Sequence, residues 1–351
     1  MNSIPPDFDI QNYDYPLPEK NIAYFPPKER SLSKLLVIDR KSGNLSFHST
    51  FSDIEFYLQS GDLLILNDTK VFPARLKAIK SSGGEAEILL FEKPKGLIFE
   101  TVALLKGKRI KPGHKLYTSG DERVEITVLE KLEGGKFRIQ LKSLGNPLED
   151  LIYSVGKVPL PPYIKREPEV GDIDRYQTVY AQKEGSIAAP TAGFHFDEVL
   201  LAKLKYKGVK LSFLTLHVGY GTFAPIRSRD IRLHRVDPEY IEVPGETVEE
   251  VKKALMEKRR VIAVGTTVVR SLEFLALRSF EPYSGLCDLY IYPGFTFKVI
   301  SGMITNFHLP KSSLLLLVCA FAGRELILKA YAEALKRGYR FYSYGDATFI
   351  I

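Results

Sequence analysis

Between Gly61 and about Leu144 the chain reads as short strands cut by tight turns, while strands alternate with helices on either side. Val124-Glu125-Ile126-Thr127-Val128-Leu129 alternates with period two, as a half-buried strand does. Ala86–Phe91 follows the turn signal Ser81-Ser82-Gly83-Gly84, and Glu133-Gly134-Gly135-Lys136 precedes the strand pattern Phe137–Leu141. Turns at Lys111-Pro112-Gly113 and Ser119-Gly120-Asp121 complete the series, and the apolar run Leu63–Leu66 is read as its first strand. Strands this closely spaced suit a small closed antiparallel sheet. The expectation is a discontinuous α/β main domain, residues 1–60 and 153–351, with an inserted all-β antiparallel barrel, residues 61–152.

In the flanking parts, Val248–Lys258 reads as a helix. Arg260–Val264 reads as a buried strand leading through Gly265-Thr266-Thr267 into a helix over Val268–Leu277. Ligands of α/β layers gather at the carboxyl ends of such strands. The longest apolar run, Leu314–Ala322, is far short of the roughly 20 residues that span a bilayer. Ser312 and Ser313 stand ready to cap it as a buried helix. The amino terminus is acidic and proline-containing, unlike a targeting segment, and no membrane association is expected. The chain has 351 residues. Single hydrophobic cores stop growing below that size, so more than one domain is expected. Cys287 and Cys319 lack the partners for a zinc site or a disulfide framework, which fits a cytoplasmic setting. The charge, 49 − 42 = +7, favours an anionic partner, the alternative being a solubility charge spread over the surface.

Three irregular islands place polar side chains beside small residues: Ala188–Phe196, containing His195; Thr305–Pro310, containing His308; and Ser343–Ala347, containing Asp346. Glycine and alanine there let a ligand approach the backbone.

These islands form part of an ordered set. Asn67–Arg75, Arg175–Tyr180, Ala188–Phe196, Thr215–Phe223, Gly265–Thr267, Thr305–Pro310 and Tyr344–Asp346 follow one another, after Tyr13–Pro18 near the amino terminus. Taken together, the set resembles the S-adenosylmethionine:tRNA ribosyltransferase-isomerase family of queuosine biosynthesis. The likeness implies transfer of the ribosyl part of S-adenosylmethionine onto 7-aminomethyl-7-deazaguanine at the tRNA wobble position. Epoxyqueuosine-tRNA, adenine and methionine are the implied products. The sulfonium acidifies the neighbouring ribose carbon, so a positioned base can remove its proton, and a donor eases departure of adenine. S-adenosylmethionine is a co-substrate here, no metal is expected, and no obligate protein partner is evident.

For such chemistry His195 and His308 are the candidates for proton transfer, since free imidazole titrates near pH 6.5. Asp346 is a candidate base or ribose-hydroxyl acceptor. The alternatives are hydrogen-bonded structural histidines and a turn-forming aspartate. Gly219, Gly221 and Thr222 are candidates to cup the co-substrate, against a simple tight turn. Gly265, Thr266 and Thr267 are candidates to cradle its carboxylate or a tRNA phosphate at a helix amino terminus, against plain capping. His234 and Glu239 are read as structural or substrate-orienting, with Asp237 standing where the family usually has a second histidine. For tRNA the candidates are Arg75, Arg175, Lys165, Arg166 and Arg270, with Tyr176 as a stacking face; Arg227, Arg229, Arg340 and Tyr163 are further possibilities. The rival readings are an S-adenosylmethionine-dependent RNA methyltransferase and a non-catalytic basic RNA-binding module.

Overall fold

The computed structural model describes residues 4–119, 123–223 and 226–351. Two compact units emerge: Met1–Asp68 with Gln177–Ala181 and Pro190–Ile351, and Thr69–Tyr176 with Gln182–Ala189.

The first unit is a mixed α/β domain on a nine-stranded sheet. Its centre is parallel: Lys210–Leu216, Leu63–Asn67, Val261–Val264 and Gly302–Asn306 lie side by side in that order. Ala347–Ile350 then runs antiparallel to Gly302–Asn306 and parallel to Leu35–Ile38. On the other flank, Glu239–Val243 pairs antiparallel with Lys210–Leu216 and with Tyr283–Cys287. Leu63–Asn67, Val261–Val264 and Gly302–Asn306 are buried throughout, as strands covered on both faces must be, and this explains the apolar runs Leu63–Leu66 and Val261–Val264. Gly245–Met256 and Thr266–Ala276 pack on the sheet, and Ser313–Ala322 packs against Thr266–Ala276. Ser312 caps the helix Ser313–Ala322, its hydroxyl accepting from the Leu315 N–H at 3.2 Å. Such a cap satisfies one of the donors that a helix start leaves free. No helix among the described residues is long and apolar enough to cross a membrane.

The second unit holds a closed antiparallel barrel. Arg75–Lys80, Glu85–Leu90, Ile98–Gly107, Lys136–Lys142, Glu125–Lys131 and Lys115–Thr118 pair in sequence, and the last returns to Arg75–Lys80. Closure removes exposed strand edges. The barrel strands alternate buried and outward residues, as in Lys136–Lys142 and Glu125–Lys131. One sequence reading is corrected: Leu63–Leu66 belongs to the large sheet, where it pairs in parallel with Lys210–Leu216 and Val261–Val264, and not to the barrel. The turn expected at Ser119–Asp121 lies outside the described residues.

Candidate active site

Because the four central strands are parallel, their carboxyl ends share one edge of the α/β unit, and the sequence islands converge there. Asn67 and Asp68, Leu216 to Gly219, Gly265 to Thr267 and Asn306 to His308 follow the ends of adjacent strands. The antiparallel pairing of Asn306 with Ala347 brings Asp346 to the same edge, and Leu35 opposite Ala347 brings Ser33 and Lys34. Glu239, first residue of its strand, stands there too, opposite Cys287.

Asn67 stitches the edge together. Its amide donates to the Leu216 carbonyl and accepts from the Leu216 N–H, both at 3.0 Å, while Thr215 donates to Asp68 Oδ1 at 2.6 Å. Neither Asn67 nor Asp68 was singled out as a site residue from sequence. The signal was the polar pair directly after the apolar run.

His195 sits in a saturated network. Asn306 Nδ2 donates to the Tyr342 carbonyl and to His195 Nε2, each at 3.1 Å, and Asn306 Oδ1 accepts from Thr191 at 3.0 Å. With Nε2 accepting, the ring proton rests on Nδ1, the other nitrogen of a neutral imidazole. Nδ1 donates to Ser33 Oγ at 2.7 Å, and that hydroxyl donates to the Arg30 carbonyl at 3.4 Å. Burial pushes the imidazole down to about 3, and the nearby Arg340 and Arg30 charges add to this. The ring is therefore neutral near pH 7. His195 belongs to the short turn Thr191–His195, whose Gly193 faces Tyr180: a Cβ there would stand 2.1 Å from Tyr180 Oη.

His308 is also interior, with Nε2 3.0 Å from Thr305 Oγ1, its N–H donating to Tyr331 at 3.2 Å and its carbonyl accepting from Tyr15. Burial pushes this imidazole down to about 3 as well. Asp346 accepts backbone N–H bonds from Lys34 at 2.8 Å and from Arg340 at 2.7 Å, one on each oxygen. Burial raises its pKa, partly offset by those two N–H bonds and by the Arg340 and Lys34 charges.

Gly219, Gly221 and Thr222 wrap the acidic pair Asp237 and Glu239. Gly219 N–H and Thr222 Oγ1 both donate to Glu239 Oε1, at 2.8 and 2.6 Å, and a Cβ on Gly221 would stand 2.7 Å from Asp237 Oδ2. Glu239 Oε2 meets Arg270, which also donates to the Leu289 carbonyl at 3.0 Å. Burial opposes the guanidinium charge, but Glu239 more than restores it and holds its pKa above the ordinary value. A cleft beside this group is lined by Thr222, Asp237, Arg270, Tyr290 and Leu314. Arg270 is 7% exposed, and its guanidinium is already engaged by Glu239.

At Gly265, φ is 96°, and the helix Thr266–Ala276 starts there without a side-chain cap. That left-handed conformation suits glycine. Thr266 and Thr267 are buried, and Thr267 Oγ1 accepts from Asn67 at 3.4 Å.

Of the other tRNA candidates, Arg75, Tyr163, Lys165, Arg166, Arg175 and Tyr176 lie in the barrel unit, and Arg227, Arg229 and Arg340 in the α/β unit. Arg75 pairs with Glu87 at 2.5 Å and Glu167 at 3.3 Å, and Arg166 grips both oxygens of Asp172 at 2.6 and 2.7 Å. Lys165 is exposed and Arg175 half-buried. Tyr176 is fully buried, so it presents no face for a base in this conformation. Among the described residues no three or more His, Cys, Asp or Glu side chains gather as a metal site.

The model of a family described as queuosine biosynthesis protein matches residues 10–350. An S-adenosylmethionine:tRNA ribosyltransferase-isomerase from Aquifex aeolicus is 52% identical over 344 residues, 97% of this chain and 99% of that relative. The chain belongs to the S-adenosylmethionine:tRNA ribosyltransferase-isomerase family. A relative of the same name from Hydrogenobaculum is 50% identical over 98% of this chain and its own full length. The crystal structure of S-adenosylmethionine tRNA ribosyltransferase from Thermotoga maritima is similar at 38% identity and a TM-score of 0.56, covering 97% of this chain and 100% of that one. The family match spans every segment gathered at the sheet edge.

Proposed function

We propose that the chain transfers and isomerises the ribosyl moiety of S-adenosylmethionine onto 7-aminomethyl-7-deazaguanine at the wobble position of tRNA. The products are epoxyqueuosine-tRNA, adenine and methionine. The family match over residues 10–350 carries this reading. S-adenosylmethionine is consumed as co-substrate, and the macromolecular partner is tRNA already bearing the deazaguanine. The setting is the cytoplasm, in keeping with Cys287 and Cys319 as unlinked, buried thiols.

The hydrogen bonding of the resting edge supports a division of labour. His195 and Asp346 act as positioning residues, since both nitrogens of one and both oxygens of the other already serve protein partners. His195 or His308 takes part in proton transfer only by exchanging one of these bonds for a bond to substrate. Gly265, Thr266 and Thr267 offer first-turn N–H groups to an anionic part of a substrate. Gly219 and Thr222 act through Glu239, and Gly221 leaves room for Asp237.

The test is a product assay with S-adenosylmethionine and tRNA carrying 7-aminomethyl-7-deazaguanine. Adenine, methionine and a tRNA nucleoside enlarged by an epoxycyclopentane-type group are expected. S-adenosylhomocysteine with methylated tRNA would mark methyl transfer instead, and tRNA retention without co-substrate turnover would mark a binding module.

A further inference from the structure

The connection between the barrel strands Ile98–Gly107 and Lys115–Thr118 is a dense, one-signed charge. Residues 106–115 hold five cations (Lys106, Lys108, Arg109, Lys111, Lys115) and no Asp or Glu. Two of the five are neutralised locally: Lys106 stands 3.3 Å from Glu87 and Lys115 2.9 Å from Glu125. Lys108, Arg109 and Lys111 are exposed, and none of the carboxylates among the described residues is paired with them.

The loop is anchored. Ile110 is 9% exposed, and a Cβ on Gly107 would stand 2.9 Å from Ile110 Cδ1, so the glycine makes room for the isoleucine to seat. Lys80 Nζ donates to the Lys108 carbonyl at 2.9 Å, and the Gly113 N–H donates to the Val128 carbonyl at 2.8 Å. Arg109 sits at φ 54°. That left-handed conformation is strained for a residue with a Cβ. A free loop would spread its like charges and relax that backbone. This one keeps three exposed cations within four consecutive residues.

We infer that this loop is a docking surface for the phosphate backbone of the tRNA substrate. The inference rests on the tRNA reading given above. Its one large apolar side chain, Ile110, points inward, and the segment has no Phe, Tyr or Trp, its single ring being the half-buried His114 imidazole, so it offers no apolar insertion into a membrane and no broad stacking face for a base. Fixed cations alone suit a sequence-independent contact with phosphates, which orient the RNA without reading it.

The experiment measures tRNA affinity from about 50 to 200 mM salt, with steady-state kinetics, for the wild type and for Lys108→Ala/Arg109→Ala/Lys111→Ala. Three lost phosphate contacts should flatten the slope of log Kd against log salt by about 2–3 and weaken binding about tenfold or more near physiological salt. The kinetic loss should fall on KM for tRNA, with KM for S-adenosylmethionine unchanged. Lys108→Gln/Lys111→Gln, both positions exposed, should show about two-thirds of the slope change and serves if the triple variant folds poorly. Lys205→Ala/Lys253→Ala/Lys258→Ala removes the same charge from the exposed surface of the α/β unit and should leave the slope near wild type. An unchanged slope in the loop variants, or an equal change in the control, overturns the inference while leaving the tRNA reading intact. A wild type that neither binds tRNA nor releases adenine overturns the tRNA reading and the inference with it.

Discussion

Mild acid should destabilise the α/β unit through its interior histidines before its carboxylates are protonated. His195 and His308 are 2% and 7% exposed, and burial holds each imidazole at about 3 against 6.5 when free. A group whose folded pKa lies below its unfolded one contributes its full stabilisation above the unfolded value. That contribution is lost as the pH falls toward the folded value, because the unfolded chain takes up the proton first. The window here runs from about 6.5 down to about 3. Integrated from about pH 7 to pH 5, each histidine gives up about 2 kcal/mol, and the pair about 4 kcal/mol. Burial lowers His234 as well, but it is half-exposed and adds less. Asp346 acts in the opposite sense: its raised pKa means that protonation relieves a cost. Urea unfolding at the two pH values, followed by far-UV circular dichroism, reads the difference; tyrosine emission is a second probe, since the chain has 19 tyrosines and no tryptophan. His195→Gln should remove about half of the loss, whatever it does to stability at neutral pH, because only its own titration disappears. A variant that loses as much stability as the wild type between the two pH values would refute the reasoning.

Arg270→Met should cost about 3–5 kcal/mol in the same unfolding assay, because it leaves the Glu239 carboxylate buried and the Leu289 carbonyl without its donor; adding Glu239→Leu should recover much of that. Gly193→Ala places a methyl 2.1 Å from Tyr180 Oη. It should cost about 1–3 kcal/mol or more, with Tyr180→Phe giving part of it back; a neutral single variant would show that the turn has room. Asp346→Asn turns an amide NH2 toward one of the two N–H donors it now serves and should cost about 1–3 kcal/mol, read as faster hydrogen exchange at Lys34 or Arg340.

What could be read from the sequence was local. The helix Ser313–Ala322 followed from an apolar run and a serine cap, and the strand Val261–Val264 leading through Gly265 into a helix followed from an apolar run and one glycine. Pairing partners were not local. Leu63–Leu66 has the texture of a barrel strand, and only its parallel neighbours, drawn from remote parts of the chain, assign it to the large sheet. The same limit hid the partners of His195, since Ser33 lies 162 residues away and Asn306 lies 111 residues away. A histidine among small residues reads as reactive until the groups that saturate it are known.

That saturation bears on how the edge works. The side chains that looked most reactive in sequence are engaged by the protein: His195 by Ser33 and Asn306, His308 by Thr305, Asp346 by two backbone amides. Bonds of this kind fix remote chain segments against the ends of the parallel strands, so the geometry exists before a ligand arrives and need not be assembled by one. A sulfonium substrate brings its own charge and activates its own ribose carbon. On the function proposed above, an edge serving it gains nothing from cationic imidazoles. Two imidazoles are held neutral there by burial, whereas charged ones in the same positions would repel the cation that the reaction starts from.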